Sequence, residues 1–232
     1  MGKKRKTAFR RRLFRGCLTL VAGCVALSFV QVIGVKWIDP PITPTMVYSW
    51  LRGDGVRFEW SPLSRISPFL QQAVLASEDQ NFFRHRGFDW RQIEQAIEAH
   101  GEGRRLRGAS TITMQVARNL YLWQGRSWLR KGLEAYYTVL IELLWPKERI
   151  LEVYLNVAEM GRGIFGAEAA ALHSFGRPAS RLSRSEAALL AAALPNPRRW
   201  SPAHPTSYLL RRQAEILRQM ERFEPANTLS SP

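Results

Sequence analysis

Apolar positions recur at helical spacing along most of the chain: one long uncharged run comes first, then a series of shorter amphipathic stretches. The run covers residues 16–35. Twenty uncharged residues at about 1.5 Å each span roughly 30 Å, the hydrocarbon thickness of a bilayer. Residues 39–67 mix Pro40, Pro41, Pro44 and Pro62 with Trp and Tyr, which predicts an extended lead into a domain. From residue 68 onward the pattern is helical. Phe69, Leu70, Ala73, Val74 and Ala76 share a face over 68–77. Asp89 with Gln92 is a capping-box pattern that opens a helix to about Ala99. Ile112, Val116 and Leu120 repeat every four residues behind Ser110 and Thr111, both good N-cap residues. Ser127 caps a long helix reaching Trp145, where Pro146 interrupts and restarts it. Residues 147–158 are amphipathic, and Gly161, Gly163 and Gly166 read as a hinge-like loop. Ser183 with Glu186 is a second capping box, ahead of an Ala/Leu helix over 184–194. A last amphipathic helix occupies 206–222. Strand signals are few, so the predicted fold class is all-α. The predicted boundaries are a basic tail (1–15), a transmembrane anchor (16–37), a lead-in (38–67), a helical domain (68–222) and a C-terminal tail (223–232).

Charge changes this picture only at the N-terminus. The net charge of +15 would by itself suggest nucleic acid. Its placement argues otherwise: residues 1–38 carry nine Lys/Arg and no acid, while residues 39–232 carry 25 Lys/Arg against 19 Asp/Glu, a balance of only +6. Eight cations before the apolar run and Lys36 alone after it predict a cytoplasmic N-terminus by the positive-inside rule. Trp37 suits the far interface. A cleavable signal peptide is the rival reading, but the run is long for one and lacks a small-x-small exit. Val21-Ala22-Gly23-Cys24 comes too early in the run to be a convincing lipoprotein box. Cys17 and Cys24 are the only cysteines, and both lie in the run, so the exported part has no disulfide and no cysteine chemistry.

Three segments carry candidate chemistry. In SEDQNFFRHRGFDW (77–90), Glu78 and Asp79 sit where an apolar helix ends, beside Phe82, Phe83, His85 and Trp90. A carboxylate desolvated by such neighbours has its pKa raised toward neutrality, as a general base or acid requires. Two surface acids on a solvated last turn would look the same in sequence. In RGASTITMQVARNLYL (107–122), Gly108, Ser110 and Thr111 resemble a helix N-terminus able to accept an anion, with Arg118 two turns on. An ordinary capped helix would also fit. In RSWLRKGLEAYYTVLIELLW (126–145), Arg130, Lys131 and Glu134 share one helix face. Such a trio is usually a surface salt bridge, yet it also meets the needs of a pyrophosphate leaving group.

Taken in order, the segments resemble the bacterial peptidoglycan glycosyltransferase family. EDQNFFRHRGFD resembles its first motif and GASTITMQVARNLYL its second. RKGLEAYYTVLIELLWPKERILEVYLNVAEMGRGIFGAEAAALHSFG resembles its third and fourth, and SRSEAALLAAALPNPRRWSP the motif that closes the domain. The resemblance covers about residues 60–205 and is closest to the monofunctional, biosynthetic type. It implies a lysozyme-like α-helical lobe with a smaller apolar lobe at the membrane, for which Tyr121, Trp123 and Trp128 are candidate interfacial aromatics. It implies Glu78 as catalytic base and Glu134 as second essential acid. Asp79, Phe82, His85, Ser110, Thr111, Gln115, Arg118, Arg130 and Lys131 fall on substrate-binding positions. Met114 stands where the family usually has a glutamine, and Arg118 where it usually has lysine. The implied reaction transfers a lipid-pyrophosphate-linked glycan, with inversion, to the 4-hydroxyl of lipid II. A divalent cation, Mg2+ or Mn2+, would help to steady the pyrophosphate. The expected partners are lipid II, the growing glycan strand, the membrane and other cell-wall synthesis proteins. The expected location is the bacterial inner membrane, with the domain in the periplasm. The rivals are a lysozyme or lytic transglycosylase, which shares the helical fold and an active glutamate, and a catalytically silent membrane-tethered scaffold.

Overall fold

A computed structural model describes residues 2–101, 110–125 and 127–221. It divides into two units, 1–39 and 40–232. The first is a single helix, α1 (Gly2–Trp37). Within it, Phe14–Trp37 is long and apolar enough to cross a membrane, and Leu18, Leu20, Val21, Leu27 and Val30 are exposed.

Among its described residues, the second unit is mostly helical, with one small three-stranded sheet. Its helices are α2 (Pro44–Leu51), α3 (Pro68–Glu78), α4 (Trp90–Gly101), α5 (Ile112–Tyr121), α6 (Trp128–Leu144), α7 (Lys147–Val157), α8 (Ala167–Phe175), α9 (Arg184–Ala193) and α10 (Ser207–Met220). Several starts follow directly from local chemistry. Thr111 Oγ1 accepts from Met114 N at 3.3 Å, Ser127 Oγ from Arg130 N at 3.1 Å, and Thr206 Oγ1 from Leu209 N at 3.4 Å. At α9 both halves of the Ser183/Glu186 capping box form. At α4, Asp89 Oδ1 accepts from Gln92 N, but the Gln92 amide donates to Asp89 Oδ2 instead of reaching back to the backbone. The predicted tail 223–232, and all of the 101–108 loop but Gly101, lie outside the described residues.

Two expectations are corrected. The proline-bearing stretch 38–67 is not simply extended: Thr43 caps α2 with Pro44 at its first turn, where a missing N–H costs nothing. The glycines at 161–166 do not form a hinge. They shape a hairpin of β2 (Glu159–Gly161) and β3 (Ile164–Phe165), and β1 (Arg57–Phe58) pairs parallel to β3. Gly163, at φ +67, makes the turn, and a Cβ there would lie 2.4 Å from the Asp54 carbonyl oxygen.

The core forms around two groups of helices. In one, α3, α9 and α10 pack together; in the other, α5 packs against α6 and α7. The alanines of α9 are buried and small, which lets α3 and α10 approach closely. Ile150, Leu151 and Leu155 of α7 are fully buried, each contributing about 1.5–3 kcal/mol of transfer free energy. Of the aromatics expected at an interface, Trp128 is 93% exposed and Trp123 48%. Tyr121 is not of that kind. Its ring stacks on Tyr137 at 4.5 Å, and burial, then Tyr137, pushes its hydroxyl pKa up.

Candidate active site

Helix α3 stops at Glu78 because Asp79 leaves helical geometry, with φ −158 and ψ 78. The two acids therefore face different surroundings. Glu78 is half-buried on a cleft of about 800 Å³, together with Ser110, Gln115, Arg118 and, from α10, Arg212. Gln115 Nε2 donates to Glu78 Oε2 at 2.9 Å, and Gln115 Oε1 accepts from the Tyr154 hydroxyl at 3.4 Å. Burial raises the Glu78 pKa above 4.5; the Gln115 hydrogen bond, Arg212 and Arg118 oppose it, and Asp79 adds to it. Tyr154 is fully buried, and its pKa is raised well above 10.0 by burial first and then by Glu78, so it stays a donor. Arg118 Nε is buried without a hydrogen-bond partner among the described residues, a donor that lacks an acceptor.

Asp79 is instead a strut. Its carboxylate accepts from His85 Nε2 at 2.9 and 3.0 Å, and its Oδ2 also accepts from Ile112 N at 3.0 Å. His85 Nδ1 accepts from Gly87 N at 3.1 Å, which places the ring proton on Nε2, facing Asp79. Thr111 Oγ1 donates to the Gly87 carbonyl at 2.6 Å. The loop from 79 to 87 is thus stitched to the start of α5. Phe82 fills the space behind it, 5.1 Å edge-on to Phe83 and with Lys147 Nζ 4.5 Å from its ring centroid. The anion expected at the start of α5 is already present, because Asp79 takes the Ile112 N–H and Thr111 the Met114 N–H. Gly108 lies outside the described residues.

The third group is separate. Glu134 is only 3% exposed, with Arg130 Nη1 at 2.7 Å from its Oε2 and Lys131 Nζ at 2.5 Å from its Oε1. The Arg130–Glu134 pair is buried, whereas Lys131 reaches the same carboxylate from a partly exposed position. Arg130 Nε, like Arg118 Nε, is buried with no hydrogen-bond partner among the described residues. The structure therefore gathers Glu78, Asp79, Ser110, Gln115 and Arg118 on one cleft. It sets Phe82, His85 and Thr111 behind its wall and keeps Arg130, Lys131 and Glu134 as a cluster that does not line it.

Against this geometry, the family model described as Transglycosylase matches residues 45–221. The chain belongs to the transglycosylase family. It is 52% identical over 210 residues to a protein of Rhodospirillum centenum named biosynthetic peptidoglycan transglycosylase, covering 90% of this chain and 91% of the relative. A protein of Pseudomonas putida with the same name is 52% identical over 219 residues, covering 92% and 91%. One of Xanthomonas campestris, again of that name, is 49% identical over 229 residues, covering 96% and 93%.

Within this transglycosylase, the departure at Met114 falls in the core: its side chain is buried and does not line the cleft. Arg118 does line it. Sequence reasoning missed Arg212 and Tyr154. Neither carries a local signal; one faces Glu78 from the last helix and the other from beneath Gln115. Phe82, Phe83, His85 and Trp90 stay off the cleft. A resident divalent cation finds no ready cage: no group of three His, Cys, Asp or Glu converges among the described residues. Both Glu134 oxygens are held by cations, and both Asp79 oxygens by donors.

Proposed function

We propose that this chain polymerises the glycan strands of peptidoglycan, moving a lipid-pyrophosphate-linked growing chain onto the 4-hydroxyl of lipid II. The observation that carries the reading is Glu78, a half-buried carboxylate with a raised pKa on a cleft that also holds Arg118 and Arg212. Burial makes such a carboxylate a stronger base than an exposed one, and the two guanidiniums suit an anionic leaving group. Glu78 takes the proton of the acceptor hydroxyl, whose oxygen attacks the anomeric carbon from the face opposite the pyrophosphate. The bond to the pyrophosphate oxygen breaks, and undecaprenyl diphosphate departs. Configuration inverts. Gln115, backed by Tyr154, fixes the Glu78 carboxylate, while Arg118 meets the departing charge. Arg130 and Lys131, paired with Glu134 in a cluster that does not line this cleft, are assigned to the phosphates of the lipid-linked chain beyond it. No step is routed through a cation.

The names of the relatives and the arginines beside the base support synthesis over cleavage, since hydrolysis or lysis of a strand expels no phosphate. The N-terminal apolar helix could serve as a membrane anchor. We place it in the inner membrane, with the cleft on the periplasmic side and other cell-wall synthesis proteins as partners. Incubating the purified chain with labelled lipid II should yield strands of increasing length and leave lipid-free strands intact. Release of short muropeptides from such strands, without extension of lipid II, would overturn the reading.

A further inference from the structure

A second cleft, of about 510 Å³, is bordered by the loop that joins α9 to α10. The Glu78 cleft uses Leu194 and Pro195 of that region, whereas this one uses residues 197–202. Four arginines reach it from different elements: Arg57 from β1, Arg162 from the hairpin turn, and Arg198 and Arg199 from the loop. Only one is fully compensated. Arg198 is held by Asp54 at 2.8 Å and Glu159 at 3.0 Å. Arg162 reaches the same Asp54 only at 3.5 Å. Arg57 Nη1 meets no carboxylate among the described residues; it rests against His173 Nδ1 at 3.2 Å. Arg199 is exposed and has no side-chain partner among the described residues. Gly163 lets the hairpin turn press on Asp54 and Gly55, which fixes the floor on which the arginines stand.

We propose that this cleft binds the phosphate headgroup of an anionic phospholipid. Guanidiniums arriving from three elements suit a tetrahedral phosphate, which accepts on several sides, better than a planar carboxylate. The volume exceeds that of a bare phosphate ion, and Trp200, Met160 and Ile164 supply an apolar wall for an attached organic group. The rim favours a lipid. Helix α2 leads into Asp54 and Gly55 and exposes Val47, Trp50 and Leu51 beside the cationic Arg52, the mixture that settles at a headgroup boundary.

The test uses the full chain in a neutral detergent, titrated calorimetrically with dioctanoylphosphatidylglycerol, dioctanoylphosphatidylcholine or inorganic phosphate. The basic tail is common to all variants, so the decisive comparison is between them. The double substitution Arg57→Ser/Arg199→Ser should weaken the phosphatidylglycerol isotherm by about tenfold or more, and Arg162→Ser by less. Arg65→Ser, at an exposed residue that does not line the cleft, should leave it unchanged. Phosphatidylcholine should bind at least about tenfold more weakly than phosphatidylglycerol. Equal binding of the two lipids, or equal losses in the Arg65→Ser and double variants, would overturn the proposal. So would saturable binding of inorganic phosphate with no binding of the lipid. The assay reads binding alone, so its outcome is independent of whether the chain polymerises lipid II.

Discussion

Asp79 lies next to the proposed base, is almost fully buried, and could be mistaken for it. The geometry assigns it a different task, and Asp79→Asn separates the two. The carboxylate accepts from both His85 Nε2 and Ile112 N. Asn has one acceptor oxygen, so its amide must face one of those donors. Moving the His85 proton to Nδ1 does not help, because Nδ1 already accepts from Gly87 N. An Asn oxygen at the Oδ2 position stays 3.0 Å from both donors, but the NH2 at the Oδ1 position then opposes the proton-bearing His85 Nε2 2.9 Å away. Losing the charged acceptor and burying two opposed donors costs about 2–4 kcal/mol. For a domain of this size, that corresponds to a melting shift of roughly 5–15 °C. Asp79 also raises the Glu78 pKa, so neutralising it should move the acid limb of the polymerisation pH profile to lower pH. Thermal unfolding by circular dichroism and lipid II turnover across pH measure both effects. An unshifted melting curve with turnover reduced by about 10²-fold or more would refute the reasoning and make Asp79 a chemical participant.

Four other substitutions test the neighbouring contacts. Glu134→Gln leaves the largely buried Arg130 without its counter-ion, so it should cost about 3–5 kcal/mol. Lys131, 44% exposed at its side chain, should cost at most about 1 kcal/mol as Ala yet cut turnover by orders of magnitude; full activity of Lys131→Ala would reduce the cluster to a structural ion pair. Glu78 has a raised folded-state pKa, so its contribution to stability is fully present below 4.5 and lost as pH rises through the folded value. Glu78→Gln should therefore raise the melting temperature at neutral pH and leave it unchanged in acid; an equal shift at both would contradict the assigned burial. Gly87 has φ +89, and a Cβ there would lie 2.7 Å from Thr138 Cγ2. Gly87→Ala should destabilise by about 1–3 kcal/mol, with partial rescue by Thr138→Ser, which removes that methyl; no rescue would place the strain elsewhere.

Much of the helical frame was legible because it is set locally. Thr111, Ser127 and Ser183 cap their helices through hydrogen bonds three residues long, and such bonds are written in adjacent residues. Helix α2 was not legible, since a proline-rich stretch reads as extended unless the cap at Thr43 is weighed with Pro44 at the first turn. Two-residue strands have no period to detect, so the hairpin looked like a glycine loop. The positions of Glu78 and Asp79 at the end of α3 were visible, but not their division of labour. That division depends on Ile112 and Gly87, brought close only by tertiary folding. The Arg130, Lys131 and Glu134 spacing gave the ion pairs but not the burial of Glu134. Arg212 was invisible because an arginine on an amphipathic last helix looks solvated until α10 packs against α3.

The central claim is that Glu78 is the base, and Glu78→Gln tests it most directly. Gln keeps the shape and can still accept the Gln115 amide, while losing the capacity to take a proton. Turnover of labelled lipid II by the purified full chain should fall by about 10²-fold or more, with a melting curve at neutral pH no lower than that of the unsubstituted protein. Near-normal polymerisation by that variant would contradict the account and move the base elsewhere.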